Sequence, residues 1–114
     1  MKLIKIAFNI GLNNNAYKVD GIKTIVKEAF KTDVIHKSFV ETGLYNGVKE
    51  STLVLSIWIK KHSKKEIDKI VSKMCIEFTQ ECIPYDTKEF SKLVYNPHYK
   101  GEKFEFNDAY FIES

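Results

Sequence analysis

Arginine is absent from this sequence, and all 18 of its basic residues are lysines. The planar guanidinium fork that grips phosphate or guanine through two parallel hydrogen bonds is therefore missing. A net charge of +3 is also too small to call for a polyanionic partner, which ranks nucleic-acid binding third among the function classes. A lysine-, isoleucine- and asparagine-rich chain without arginine also follows from an AT-rich coding genome. Cysteine occurs only twice, at Cys75 and Cys82, which excludes a disulfide framework or a cysteine metal knot and suits reduced thiols in the cytoplasm. No run of about eighteen apolar residues occurs, and the Met1–Ile6 start carries lysine inside its apolar run with no small-residue cleavage site. The expectation is a cytoplasmic chain, in the host cytoplasm if viral, without membrane association. With 114 residues the chain has room for one core and no second lobe.

What is present is periodicity. Within Ser51–Lys60, Leu53, Leu55, Ile57 and Ile59 alternate at the strand period, while Ser56 and Lys60 share the other face. Just before it, Asn46-Gly47 tolerates positive φ at both turn positions, so Val34–Tyr45 should fold back as a hairpin partner. Ile4, Ile6, Phe8 and Ile10 define a first strand that ends at Gly11. Asp20 precedes Ile22, Ile25, Val26, Ala29 and Phe30, a one-sided stripe that predicts a helix ending near Lys31. Ser63-Lys64-Lys65-Glu66 is a capping box, with Ile67, Ile70, Val71, Met74 and Phe78 lining one side of the helix that follows. Cys82-Ile83-Pro84-Tyr85 reads as a fourth strand, placed at an edge because Pro84 cannot donate to a ladder.

The element order is then β-α-β-β-α-β, an α+β chain whose two helices need the same sheet face. The pattern predicts a ferredoxin-like βαββαβ sandwich with strand order 4-1-3-2 over residues 1–87. Residues 88–114 form an aromatic C-terminal extension packed on the domain or on a partner subunit, with seven of the chain's fifteen aromatics. Its turn signals, Asn96-Pro97 and Lys100-Gly101, predict a short helix over 88–94 and a strand or hairpin over 103–112. The sheet face away from the helices carries Ala7, Val54 and Trp58. A bare apolar face is costly in water, so either the extension or a second copy should cover it.

Gly11-Leu12-Asn13, Gly43-Leu44-Tyr45, Glu50-Ser51 and the run Phe78-Thr79-Gln80-Glu81-Cys82-Ile83 resemble the pattern of a group of small phage and prophage proteins. These in turn are similar to a broader bacterial family of ferredoxin-like domains. The resemblance spans roughly residues 3–87, with a shorter hairpin and a longer aromatic tail here. It implies a phage-type protein and supplies no catalytic residues.

The predicted fold brings Asn13, Tyr45, Glu50, Ser51, Gln80 and Glu81 to one end of the sheet, where they form the candidate ligand site. A structural reading stands beside it: Gly11 and Gly43 serve turns, while Gln80 and Glu81 satisfy backbone amides left open at the helix-to-strand junction. His36, His62 and His98 have neither the mutual spacing nor the neighbours of a metal site, and no cofactor is expected. Cys75 and Cys82 lack a sequence-adjacent histidine, so no nucleophilic triad is drawn. Asp86 with Glu89, and Glu102 with Glu105, read as solvated charge, and Lys60–Lys65 as a wet loop. On the first and third strands only Trp58 suits base stacking.

The leading expectation is a non-enzymatic phage-type binding protein, self-associating, that sequesters a small polar, nucleotide-like ligand in counter-defence or inhibits a host protein. The alternative is a small dimeric ferredoxin-like lyase, isomerase or hydrolase with Glu81 or Glu50 as base.

Overall fold

The computed structural model describes residues 2–11, 16–32, 35–45, 48–103, 105–106 and 111. Seven elements follow one another: β1 (Lys2–Gly11), α1 (Ala16–Phe30), β2 (Ile35–Tyr45), β3 (Val48–Ile59), α2 (Lys64–Glu77), β4 (Cys82–Thr87) and β5 (Ser91–Tyr95).

Alternation decides which face each strand buries. Ile4, Ile6 and Phe8 in β1 are fully buried while Lys5 and Asn9 are exposed. In register beside them, Ile4 lies opposite Ile57, Ile6 opposite Leu55 and Phe8 opposite Leu53. Against this face pack Ile22, Val26 and Phe30 of α1, one turn apart along a single stripe, and Ile67, Val71, Met74 and Cys75 of α2. The capping box forms as the sequence predicts. Glu66 N donates to Ser63 Oγ at 3.2 Å, and Ser63 N donates to Glu66 Oε1 at 3.0 Å. Those hydrogen bonds to the charged form hold the Glu66 carboxyl below its ordinary pKa.

Both helices end in the same way without glycine. Lys31 and Thr79 each adopt φ +53°, in the left-handed region. The amides that follow reach back to the last turn, Thr32 N to Lys27 O at 2.9 Å and Gln80 N to Cys75 O at 2.8 Å, which satisfies carbonyls the helix leaves open.

The predicted four-stranded ferredoxin-like sandwich of order 4-1-3-2 is corrected by the sheet itself. It is an open sheet of five antiparallel strands in the order β2-β3-β1-β4-β5. Residues 91–95, which overlap the helix predicted over 88–94, form β5 instead. A turn explains the difference: Thr87 N and Thr87 Oγ1 both donate to Phe90 O, at 2.8 and 2.9 Å, and fold the chain back on itself. The free side of β4 then offers a complete row of backbone partners, which outweighs the weak local preference for helix.

β4 is consequently an inner strand, not the predicted edge. Pro84 is tolerated there because the β1 ladder reaches only Tyr85, Asp86 and Thr87, so the ring sits where that pairing ends. The predicted strand or hairpin over 103–112 lies largely outside the described residues. The face away from the helices is also less bare than its sequence suggests, since Ala7 is 2% exposed, Val54 1% and Ser56 7% within a single chain. On that face of β5, Tyr99 stacks on Tyr95 with centroids 5.4 Å apart, and Lys103 Nζ lies 5.5 Å from the Tyr95 ring.

Candidate functional site

Two polar regions stand at opposite ends of the sheet. At the end where β1 finishes, the hub is Asn9, which the sequence pattern did not single out. Asn9 N donates to Gln80 Oε1 at 2.8 Å, and Gln80 Nε2 donates back to Asn9 O at 2.8 Å and to Phe78 O at 3.2 Å. Asn9 Nδ2 donates to Glu50 Oε2 at 2.7 Å, and Asn9 Oδ1 accepts from Gly11 N at 2.7 Å. Gln80 is buried, and its amide replaces a neighbouring strand for one residue of β1, tying the end of α2 to the sheet.

Of the residues predicted to converge here, Glu50 and Gln80 meet through Asn9. Ser51 is buried beside them, its hydroxyl 3.1 Å from Thr42 Oγ1. Glu81 is exposed, and its carbonyl accepts from Asn96 N at 2.8 Å. Tyr45 is placed by its backbone at the end of β2, opposite Val48, and Asn13 lies outside the described residues.

The other end, where β1 begins and β3 and β4 finish, holds a cleft of about 550 Å³ lined by Lys2, Leu3, Lys5, Trp58, Asp86, Thr87, Lys88 and Glu89. That volume lies within the range of small-molecule sites. The strand registers build it, with Leu3 opposite Trp58 and Lys5 opposite Asp86, all on the face away from the helices. The Thr87–Phe90 turn supplies Lys88 and Glu89 as a rim.

Charges of both signs meet around one half-buried indole. Lys2 Nζ lies 3.7 Å from Glu89 Oε2 and 5.4 Å from the Phe90 ring, which Lys64 Nζ also approaches to 5.7 Å. Asp86 accepts from Ser91 Oγ. Lys5 and Lys88 have no ion pair among the described residues. Lys5 and Trp58 share one face of adjacent strands, one register step apart on the diagonal, a proximity that becomes visible only once the register is known.

Other chemistry-bearing groups are spent on packing. The fully buried Tyr85 donates its hydroxyl to Asp68 Oδ1, while Lys92 Nζ meets Asp68 Oδ2 at 2.7 Å, joining α2 to β4 and β5. Burial, followed by the neighbouring Asp68, raises the Tyr85 phenol well above its ordinary pKa. Cys75 is buried with its thiol 3.4 Å from Val94 O, and burial, with Cys82 next, pushes it up to about 12. Burial raises Cys82 too. Neither thiol has the lowered pKa of a nucleophile. The histidines lie apart: His36 is edge-on to Trp58, His62 Nδ1 is 2.7 Å from Lys60 O, and the amide of His98 donates to Asn96 Oδ1. Among the described residues no three His, Cys, Asp or Glu gather at metal-binding distance. None of their helices is long and apolar enough to cross a membrane.

No protein-family model matches the sequence, and no curated protein matches it either. A solved structure described as a phage SAM lyase in its apo state is similar in fold. Its TM-score is 0.58 at 15% identity, and the match covers 87% of this chain and 92% of that one. At this identity the likeness speaks for the fold, one that a phage protein uses.

Proposed function

We propose that this chain is a small phage-type protein that binds a nucleoside-bearing, charged metabolite in the Trp58 cleft, with S-adenosylmethionine the first candidate. The carrying observation is the cleft, where an indole, carboxylates, and Lys5 and Lys88, which have no ion pair among the described residues, come together. The flat indole suits a purine, Lys5 and Lys88 suit a carboxylate or phosphate, and Asp86 with Glu89 suits an ammonium or sulfonium group. S-adenosylmethionine carries base, carboxylate, ammonium and sulfonium together. The fold likeness to a phage SAM lyase points the same way. Sequestration of such a metabolite, or of a nucleotide-like immunity signal, is the form in which binding alone would serve a phage.

A second reading is catalysis on the same ligand, favoured by the name of the structural neighbour. The opposite end, with Asn13, Tyr45, Glu50, Ser51, Gln80 and Glu81, is the competing location for a ligand.

Trp58 is the chain's single tryptophan, so its fluorescence reports the cleft directly. Titration with S-adenosylmethionine, ATP and adenosine should quench or shift the emission, and Trp58→Phe should retain part of the affinity measured by calorimetry. Chromatography of the incubated ligand separates sequestration, which returns it intact, from turnover. Unchanged fluorescence and no heat with any of the three, or binding abolished by Glu81→Gln and Tyr45→Phe but not by Trp58→Ala, would reject the cleft.

A further inference from the structure

Lys2 and Glu89 both line the Trp58 cleft, and each has a partner in the other, Lys2 Nζ lying 3.7 Å from Glu89 Oε2. The pair joins the start of β1 to the turn between β4 and β5. It is longer than a hydrogen bond, and the Glu89 side chain is 69% exposed, so water screens the attraction and the charges of a ligand compete with it readily.

The surroundings of the pair set what can replace it. Lys2 Nζ lies 5.4 Å from the Phe90 ring and Lys64 Nζ 5.7 Å from the same ring, so two ammonium groups share one aromatic side chain. A purely cationic ligand that took Glu89 would draw away the anion that offsets them. Glu89 in turn shares the cleft with Asp86, whose carboxylate accepts from Ser91 Oγ. A purely anionic ligand that took Lys2 would strand Glu89 and meet both carboxylates as like charges. A polyphosphate carries that penalty on every phosphate.

A zwitterion avoids both penalties. Its anion replaces Glu89 beside Lys2 while its cation replaces Lys2 beside Glu89, and neither side chain loses an opposite charge. The ammonium and carboxylate of an α-amino acid sit on one carbon, at a separation close to that of the pair they displace. Three lysines and two carboxylates line the cleft, so its charge is nearly balanced, as a ligand of mixed charge requires and a polyphosphate does not.

We infer that the Lys2–Glu89 pair is the specificity element of the cleft, exchanged for the zwitterionic α-amino-acid group of a nucleoside-linked amino acid and disfavouring nucleoside polyphosphates. This rests on the ligand reading of the Trp58 cleft and narrows it to one chemical class.

Calorimetry of the full chain with S-adenosylhomocysteine, ATP and adenosine tests it. S-adenosylhomocysteine keeps the adenosine and the zwitterion of S-adenosylmethionine without the sulfonium charge, so it isolates the amino-acid group. It should bind about tenfold more tightly than either ATP or adenosine. Glu89→Gln removes the partner of the ligand's ammonium and one of the two carboxylates that repel phosphate. It should weaken S-adenosylhomocysteine and strengthen ATP, lowering the ratio of the two affinities about tenfold. A residue that merely shaped the turn would move both affinities in the same direction. ATP or adenosine binding as tightly as S-adenosylhomocysteine, or an unchanged ratio in Glu89→Gln, would overturn the inference and leave the cleft a ligand site. Heat from none of the three would overturn the ligand reading along with it.

Discussion

The two ends of the sheet both gather polar side chains and use them in opposite ways. At the Asn9 end, amides and carbonyls answer one another at 2.7 to 3.2 Å, and Gln80 spends both ends of its side chain on backbone. At the Trp58 end, Lys5 and Lys88 stand without an ion pair among the described residues, around a space large enough for a metabolite. Convergence of polar residues is thus common to a structural junction and to a binding site. What separates them is whether the hydrogen-bonding capacity is already consumed.

The largest effect expected from breaking this contrast is on stability at the junction. Gln80→Ala removes three hydrogen bonds and strands the Asn9 backbone, a cost of about 3 kcal/mol by denaturant titration. Ligand affinity at the cleft should not change. A smaller loss for Gln80→Ala than for Trp58→Ala would merge the two ends into one category.

Trp58→Ala should produce the mirror image, weakening the calorimetric affinity for S-adenosylmethionine about thirtyfold, while Lys5→Gln weakens it about fivefold and leaves unfolding nearly unchanged. Affinity unmoved by either would return the candidate site to the junction.

The seam between α2, β4 and β5 is where alkaline pH should act on both ends. Cys75 and Tyr85 have folded pKa values raised above their unfolded ones, so the native state holds these protons more tightly than the unfolded chain does. Their contribution is complete below about pH 9 and is lost as pH rises, between 9 and about 12 for Cys75. Melting temperature should fall across that interval, and Cys75→Ala should flatten the part due to the thiol. An unchanged slope in that variant would assign the loss to Tyr85 and Cys82, which burial also raises.

The smallest effect tests the start of the junction. Thr79 holds φ +53° with a β-branched side chain, so Thr79→Gly should stabilise the fold by about 0.5 to 1 kcal/mol, read as a raised denaturation midpoint.

Much of the chain's local structure was legible. The alternation around Leu53–Ile59, the stripe at Ile22, Val26 and Phe30, and the Ser63–Glu66 box all depend on contacts within one element or on which face of it is apolar. β5 was not legible, because Leu93, Val94 and Tyr95 carry no strong alternation and became a strand only when the Thr87–Phe90 turn set them beside β4. The candidate site divided along the same line. Gln80 was found by its position after a helix, whereas Asn9, its partner 71 residues away in sequence, had no local signal.

The sequence by itself determined periodicity, helix starts and the identity of the core face, since these follow from side-chain spacing and near-neighbour hydrogen bonds. Only the tertiary structure decided that the sheet has five strands, that Pro84 sits inside it, that Ala7 and Val54 are shielded within one chain, and that Lys5, Trp58 and Asp86 border one cleft. Each of those facts depends on register between strands distant in the chain. Backbone pairing across strands is set by the sum of all contacts in the sheet, which no short stretch of residues encodes.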